Sequence, residues 1–317
     1  PSLYQALLQL DPSFRNLISQ FFKNILISPQ KAKELYEECR FFEARDLLLK
    51  TIELFETKAE SPFKDLDDTA EFVSTRLRSL CYNILSDIEE TLGNSSEAEE
   101  YGLYALELAK QINDADTIAV ALQTLGCCYW NRSDFEQALE CCHEALQLTT
   151  DGDDQWRARG KITTTLSAIY SDIGVYEMAE QYCMDAISIC HKLSDIRTLP
   201  ICLSNLACIY AEMDQHDQAI EALEEALDIC KQNNSLRHEA LILNNLAISY
   251  LKQSGIKSDV DRVNNCLERA LAISNSIDSL PMSAFSVMNR GIFHQACGRL
   301  DEAERDFRRA AEIYEKI

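Results

Sequence analysis

The sequence predicts an all-α fold in which about seven pairs of antiparallel helices stack along the chain as a solenoid. The small residues Gly126, Ser167 and Ala207 recur after 41 and then 40 positions. Each follows a Leu and precedes a Tyr three positions later, so the period carries one helical pattern. A fixed period of about 20 to 50 residues is typical of solenoids, in which each unit buries its apolar face only against its neighbours.

Composition favours helices throughout the chain. The 317 residues include only nine glycines and six prolines, and 46% of the residues are hydrophobic. Because the apolar residues recur with helical spacing and helix-breaking residues are few, we predict an almost entirely α-helical chain without a sheet.

The chain is strongly acidic, with a formal net charge of −22 from 52 acidic and 30 basic side chains. Lys and Arg are scattered and form no basic block. Neutralising phosphates supplies most non-specific affinity for nucleic acid, and basic clusters supply attraction to anionic lipid. We therefore expect neither nucleic acid nor a membrane as a partner. The alternative role of the acidity is to keep an extended surface soluble.

Thirteen cysteines lie inside apolar helical stripes, without the spacing of a disulfide framework. We interpret nine of them as small buried hydrophobes in a reducing cytoplasm: Cys127, Cys128, Cys141, Cys142, Cys183, Cys190, Cys202, Cys208 and Cys230. The sequence shows no secretory signal and no apolar run of the roughly 18 residues that a membrane helix needs. We expect further domains beyond Pro1 and Ile317, because the chain stops inside a predicted helix.

Residues 1–29 stand apart from the repeats. A strongly apolar helical stripe runs through them to Ser28-Pro29. One interpretation is a helical cap, since terminal repeats need atypical covers. The other is a dimerisation helix, with a homodimer formed through residues 3–26.

The repeat domain is predicted over residues 30–317. Polar turns close each helix pair, as in Asn131-Arg132-Ser133-Asp134, and segments such as Asn113-Asp114 and Asn233-Asn234-Ser235 offer N-caps between pairs. Longer connections at 60–68 and 254–259 are expected to map to loops. By this register the repeats cover residues 30–57, 70–112, 117–150, 157–192, 198–232, 237–274 and 281–317.

This pattern resembles tetratricopeptide repeats of the longer variety, with roughly 40 residues per repeat. It is similar to kinesin light chains, to bacterial peptide-sensing regulators and to sensory regions of bacterial signalling enzymes. The resemblance implies a right-handed superhelical solenoid of helix pairs. The matching residues are Leu125-Gly126, Tyr129, Ala138 and Ala145, then Leu206-Ala207, Tyr210, Ala219 and Ala226, and finally Arg290-Gly291, His294, Ala303, Phe307 and Ala310.

No motif of the sequence assembles an active site. Local signatures of phosphate-binding loops, zinc proteases and nucleophile elbows do not occur, and there is no CxxC. Cys141-Cys142-His143 could face Cys127-Cys128 across one helix pair, but adjacent residues on a helix point in different directions. We therefore predict no enzyme activity, no cofactor and no metal site.

Asparagines recur on the first helix of the later repeats. Asn205, Asn245 and Asn289 take the place before the Leu-small pair, where Thr124 and Thr165 stand in earlier repeats, and Asn244 lies one residue earlier. A side-chain amide can both donate to and accept from a peptide backbone. In the proteins that the chain resembles, such amides do bind peptide backbones. The alternative is that the amides bond to each other or to neighbouring helices.

We predict that the first helices line a concave groove, since residues three, four and seven apart share a helix face. Mixed charge in this groove comes from Lys161, Lys252, Glu212, Asp172 and Asp87. The predicted peptide-binding residues are Asn205, Asn244, Asn245, Asn289, Thr124, Thr165, Trp130, Lys161, Leu241, Ile248, Lys252, Phe285 and Met288.

The function predicted from the sequence is a non-catalytic module that binds a protein or peptide in this groove. The resemblance implies the regulatory or sensory region of a larger cytoplasmic signalling protein, for example one placed ahead of a nucleotide cyclase domain. The alternative is a structural scaffold that assembles complexes through an acidic convex face or through the N-terminal helix.

Overall fold

The structure, a computed structural model, describes residues 29–35, 40–56, 68–149, 156–254, 260–277 and 279–315. These ranges are helical apart from short turns and contain no strand, which confirms the all-α prediction. The segment 1–29 lies outside the described residues except for residue 29. Most of the connection 60–68 and residues 255–259 of the second insertion lie outside them as well.

The helices of the described residues pair in order, an odd-numbered first helix with the even-numbered second helix that follows it. Their bounds are α1, 29–35; α2, Phe41–Glu56; α3, Asp68–Thr91; α4, Ser95–Gln111; α5, Ala115–Asn131; α6, Phe135–Leu148; α7, Trp156–Asp172; α8, Tyr176–Leu193; α9, Leu199–Glu212; α10, His216–Gln232; α11, Leu236–Ser254; α12, Val260–Ser276; α13, Leu280–Ala296; and α14, Leu300–Tyr314.

The chain divides into two compact units, Pro1–Thr165 and Leu166–Ile317, with the division inside α7. Within each unit, second helices pack against the first helix of their own repeat and against the first helix of the next repeat. First helices also contact each other, α3 with α5 in the first unit, and α9 with α11 and α11 with α13 in the second. The first helices of each unit therefore share one face.

The small residue of each period marks a close approach between paired helices. A Cβ added to Gly126 would lie 2.5 Å from the Sγ of Cys142, so a larger residue requires a shift there. Ser167 takes the same place in its repeat and donates its hydroxyl hydrogen to the carbonyl oxygen of Ala179, at 2.8 Å. The alanines predicted at helix contacts are all buried: Ala138, Ala145, Ala179, Ala186, Ala219 and Ala226.

Left-handed residues end most of the helices. In the turn after α5, Ser133 has a φ of 62°, and the N–H of Asp134 donates to the carbonyl oxygen of Tyr129 at 2.9 Å. This bond, which spans six residues, satisfies a carbonyl that the helix leaves unpaired. The other residues with positive φ are Gly93, Asn113, Gly174, Ser194, Asp214, Asn234 and Gly298.

The predicted cap between repeats is confirmed at Asp114, and in the other segment Ser235 is the residue that directly precedes α11. The carboxylate of Asp114 accepts a bond from the backbone N–H of Thr117 and so caps α5. Asn234 instead adopts a φ of 54° and serves as the left-handed residue after α10. Its left-handed backbone places it in the turn, outside the extended N-cap conformation.

The cysteines of the described residues are all free thiols. Cys208 contradicts the prediction of burial because it is exposed, and Cys127 and Cys141 are only half-buried. Cys127 and Cys208 stand two positions after the buried leucine of their repeat, Leu125 or Leu206, and this offset turns their side chains away from the paired helix. Those that are buried are Cys81, Cys128, Cys142, Cys183, Cys190, Cys202 and Cys230.

Candidate functional site

The candidate site lies on what we call the first-helix face of each unit, formed by partly or fully exposed side chains of the first helices of that unit. The core leucine of a repeat is the Leu that directly precedes its small residue, and Arg290 takes this place in the seventh repeat. The side chains of the face stand five positions before or two positions after this residue. In the first unit they are Leu80, Asp87, Val120, Cys127 and Lys161, and in the second they are Ile201, Cys208, Leu241, Ile248, Phe285 and Ile292.

A ladder of polar side chains joins neighbouring first helices beneath this face. In the first unit, the amide nitrogen of Gln123 donates to the hydroxyl oxygen of Thr165 at 3.2 Å. In the second unit, the amide nitrogen of Asn245 donates to the hydroxyl oxygen of Ser204 at 2.9 Å. Each bond links residues in neighbouring repeats, 42 and 41 positions apart.

Two of the predicted asparagines are buried and bonded within this ladder. Asn244 is completely buried, and its amide nitrogen donates to the hydroxyl oxygen of Ser286 at 2.9 Å and to the carbonyl oxygen of Ala240 at 2.8 Å. Its carbonyl oxygen accepts from the amide nitrogen of Asn289 at 3.2 Å, and Asn289 is also buried. These contacts favour the structural alternative for both residues.

The other two predicted asparagines keep unused hydrogen-bonding capacity. Asn205 and Asn245 are both half-buried and occupy equivalent places on α9 and α11. Within the described ranges, the side chain of Asn205 has no hydrogen-bonding partner. The amide nitrogen of Asn245 is bonded to Ser204, whereas no described residue donates to its carbonyl oxygen.

The apolar residues predicted for the second unit lie on α11, which carries Asn245, and on the next first helix, α13. Leu241, Ile248 and Phe285 are half-buried on the first-helix face, as is Met288, which packs against the buried cluster that contains Val287. Met288 is therefore partly committed to the core.

The predicted lysine of this unit is paired on the surface. The ammonium nitrogen of Lys252 lies 3.2 Å from a carboxylate oxygen of Glu212, and both side chains are about half exposed. Such a pair contributes little to stability, about 0 to 1 kcal/mol, because water screens it.

The predicted residues of the first unit meet around a cleft between α3 and α5. Its volume is about 280 Å³. Thr124 and Trp130, both predicted for the groove, line the cleft, whereas Thr165 is buried in the ladder and Lys161 is exposed nearby. The lining residues are Asp87, Glu90, Thr91, Thr124, Cys127, Cys128, Trp130 and Asn131.

The acidic residues of the cleft come from one helix turn of α3. The Asp87 side chain is exposed at the mouth, yet protein atoms crowd it, and the loss of water raises its pKa to about 6, with Lys161 opposing and Glu90 adding to the rise. One carboxylate oxygen of Glu90 accepts from the amide nitrogen of Asn131 at 2.7 Å. The other oxygen is inaccessible to water and has no hydrogen-bonding partner among the described residues.

Sequence reasoning placed Asp87 in the groove but missed Glu90. Glu90 follows the core leucine Leu85 by five positions, the same offset by which Trp130 follows Leu125. This equivalent position is the feature of the sequence that could have identified Glu90 as a residue of the groove. The thiol of Cys127 is no candidate nucleophile, because burial raises its pKa to about 11 and keeps it protonated at neutral pH.

The side chains of the candidate site include amides, hydroxyls, carboxylates and apolar groups, which offer hydrogen bonds, charge and apolar contact. No group of three or more His, Cys, Asp or Glu side chains within the described ranges is arranged to hold a metal ion. None of the helices in the described part of the chain combines the length and the apolar character needed to cross a membrane.

Comparison with known proteins assigns the repeats to a family. Residues 74–279 match the MalT-like TPR region, and residues 286–317 match a tetratricopeptide repeat. No curated protein matches the sequence.

Several solved structures share the fold at low sequence identity. The apo form of RapI is 14% identical, with a TM-score of 0.64, over 92% of this chain and 98% of its own. The apo quorum sensor NprR from B. thuringiensis is 14% identical, with a TM-score of 0.63, over 98% of this chain and 96% of its own.

A third similar structure is much longer than this chain. It is the signal transduction ATPase with numerous domains from Pyrococcus horikoshii, described as having a tetratricopeptide repeat sensor. It is 17% identical, with a TM-score of 0.63, over 99% of this chain but only 45% of its own. The family match covers more than half of the sequence, and so the chain belongs to the family of MalT-like tetratricopeptide-repeat regions.

Proposed function

We propose that this chain is a non-catalytic module that binds an extended protein or peptide segment on the first-helix face. The observation that supports it most directly is the pair of half-buried amides, Asn205 and Asn245, which stand in equivalent places on α9 and α11 with unused capacity. An amide can bond both N–H and C=O groups of an extended backbone. Leu241, Ile248 and Phe285, on α11 and α13, offer apolar contacts for its side chains.

We further propose that the module is the regulatory or sensory region of a larger cytoplasmic signalling protein. Proteins with the same fold include a quorum sensor, a tetratricopeptide sensor within a signalling ATPase, and a Rap protein complexed with Competence and Sporulation Factor. A nucleotide cyclase is one output domain that such a region could control. Free thiols throughout the described residues suit a reducing compartment.

The experiment is a peptide screen followed by titration. Immobilised protein is exposed to a display library of random peptides, and bound peptides are titrated against wild type, Asn205→Ala and Asn265→Ala. Asn265 is an exposed asparagine of the second helix α12, so its substitution is a matched control away from the face. We expect Asn205→Ala to weaken binding about two- to tenfold, the equivalent of one net hydrogen bond, and the control to leave it unchanged.

Two outcomes would contradict the proposal. If no peptide is retained by the wild type, the first-helix face does not bind extended segments. If Asn205→Ala and Asn265→Ala weaken binding equally, the bound peptides do not contact this face.

A further inference from the structure

We propose that the cleft between α3 and α5 is a subsite for a basic side chain, the guanidinium or ammonium group of an Arg or Lys in the bound segment. This inference rests on the proposed function, because it specifies the chemistry of one position of that segment. The cleft belongs to the first unit, whereas the asparagines on which the proposed function depends belong to the second.

The first argument is an unsatisfied carboxylate. One oxygen of Glu90 is bonded to Asn131, whereas the other is buried and lacks a partner among the described residues. Leaving such an acceptor unpaired is unfavourable, and a charged N–H donor is its strongest partner once the half-buried carboxylate turns toward the cleft that it lines. Within the described ranges no cation forms an ion pair with Glu90 or with Asp87, three positions earlier on the same helix. Among the described residues, the two carboxylates of the cleft therefore lack an ion-pair partner, although Lys161 and Lys33 lie near Asp87.

The second argument is a break in the polar ladder. Asn83 is only 4% exposed, and neither atom of its amide has a hydrogen-bonding partner among the described residues. Gln123 and Asn244 take the equivalent place in their repeats, and both bond to the next first helix. Asn83 lies four residues before Asp87, so both side chains share one face of α3. The ladder thus leaves polar groups unused next to the cleft.

The third argument is the size of the cleft and the chemistry of its lining residues. Trp130 and Cys127 form the apolar part of the lining. The stems of Arg and Lys pack on apolar surface, and the face of an indole attracts a cation. A volume of about 280 Å³ is at the lower end of small-molecule pockets, which suits one long side chain rather than a whole ligand.

The charged residues that line the cleft, Asp87 and Glu90, are both acidic. Asp87 is flanked by Glu90, and its positive neighbours are Lys161 and Lys33. The whole chain carries a formal net charge of −22, so a basic segment would also be attracted over distance.

The test uses four libraries of acetylated, amidated nonapeptides that differ at one fixed central position, which is Arg, citrulline, Lys or norleucine. The remaining positions are random mixtures of Ala, Leu, Ser, Gln and Asn. Citrulline has the same size as Arg and norleucine keeps the four-carbon chain of Lys, and both lack the positive charge. We expect wild-type protein to retain the Arg and Lys libraries about tenfold more strongly than their neutral counterparts, as for a charge-assisted pair.

Three variants test whether the preference for charged libraries arises in the cleft. Glu90→Gln and Asp87→Asn should reduce the preference for charge toward parity, and Lys161→Met should increase it by removing a competing cation. Glu140→Gln is the matched control, because it makes the same change of charge at an exposed site on α6. Far-ultraviolet circular dichroism of each variant checks that the helices are retained.

The outcomes separate this inference from the proposed function. Equal retention of charged and neutral libraries by wild type overturns the basic subsite and leaves peptide binding intact. A charge preference that survives both Glu90→Gln and Asp87→Asn overturns it too, because the cation then binds elsewhere. Displacement of the Arg library by an equal concentration of spermidine would assign the cleft to a free polyamine and so contradict a peptide subsite. Retention of no library overturns the proposed function and this inference together.

Discussion

The amide nitrogen of Asn245 lies 2.9 Å from the hydroxyl oxygen of Ser204 and joins the first helices of two successive repeats. One residue earlier, Asn244 bonds onward to Ser286 in the next repeat. Adjacent asparagines on α11 therefore link it to both of its neighbours, α9 and α13. The same side-chain chemistry holds the repeats together and, at Asn205 and Asn245, leaves groups available on the face.

Asn245→Ala should affect both stability and binding. Loss of the bond to Ser204 should lower the free energy of unfolding by about 0.5–1.5 kcal/mol. Loss of the carbonyl acceptor should also weaken peptide binding. Denaturant titration of Asn245→Ala, Ser204→Ala and the double variant measures the coupling between the two side chains. Additive single effects would show that the bond contributes nothing.

Asn244→Ala should be mainly a stability variant. It removes a completely buried amide, so the amide nitrogen of Asn289 loses its acceptor, and the hydroxyl group of Ser286 loses one donor while still donating to the carbonyl oxygen of Met282. We expect a loss of about 1–3 kcal/mol in the free energy of unfolding, the usual cost of unsatisfied buried polar groups. Urea denaturation followed by circular dichroism measures it. Affinity for a screened peptide, titrated on the folded variant, should not change, and a marked loss would return Asn244 to the binding face.

Gly126→Ala tests the close approach between α5 and α6. The new methyl group would lie 2.5 Å from the Sγ of Cys142, and overpacking of this kind costs about 1–3 kcal/mol, against a gain of about 1 kcal/mol in helix propensity. The single variant should therefore be neutral to moderately destabilised. In the background Cys142→Ala the clash disappears, so the same substitution should stabilise the protein. Equal effects in both backgrounds would show that the helices can move apart freely.

The carboxyl group of Asp87 should make stability depend on pH. Its pKa is raised to about 6 in the folded state, above the ordinary value of 3.8, so the folded protein binds the proton more tightly than the unfolded chain. This contribution to stability is present below about pH 4 and is lost as pH rises through about 6. Asp87→Asn should therefore stabilise the protein at pH 7.5 and have little effect at pH 4, as measured by thermal melting at both values. Stabilisation that is equal at both values would contradict the raised pKa.

Deletion of residues 1–28 tests the segment that precedes the described helices. If residues 3–26 form a dimerisation helix, the shortened chain should be a folded monomer, whereas the parent is a dimer, by sedimentation equilibrium. General unfolding of the remaining repeats on deletion would identify the segment as a cap. A dimer that persists after deletion would place the interface within the repeats.

The helix pairs and the close approach of the two helices within a pair could be predicted from the sequence, because they depend on residues that are near each other in the chain. The period that links Gly126, Ser167 and Ala207 reports where two helices must approach closely, and the polar turns report where each helix ends. The burial predicted for Cys208 was wrong. This residue follows an apolar pattern like the buried cysteines, yet it is exposed because it stands two positions after the core leucine.

The sequence by itself determined the helix-pair repeats, their lengths and the series of polar residues along the first helices. Only the tertiary structure decided which of those residues are satisfied: Asn244 and Asn289 bond to each other, Asn205 is left without a partner among the described residues, and Glu90 borders a cleft. The physical reason is that each of these contacts joins side chains about 40 positions apart. Their distance depends on how neighbouring helices pack and rotate, and no local pattern of residues encodes that.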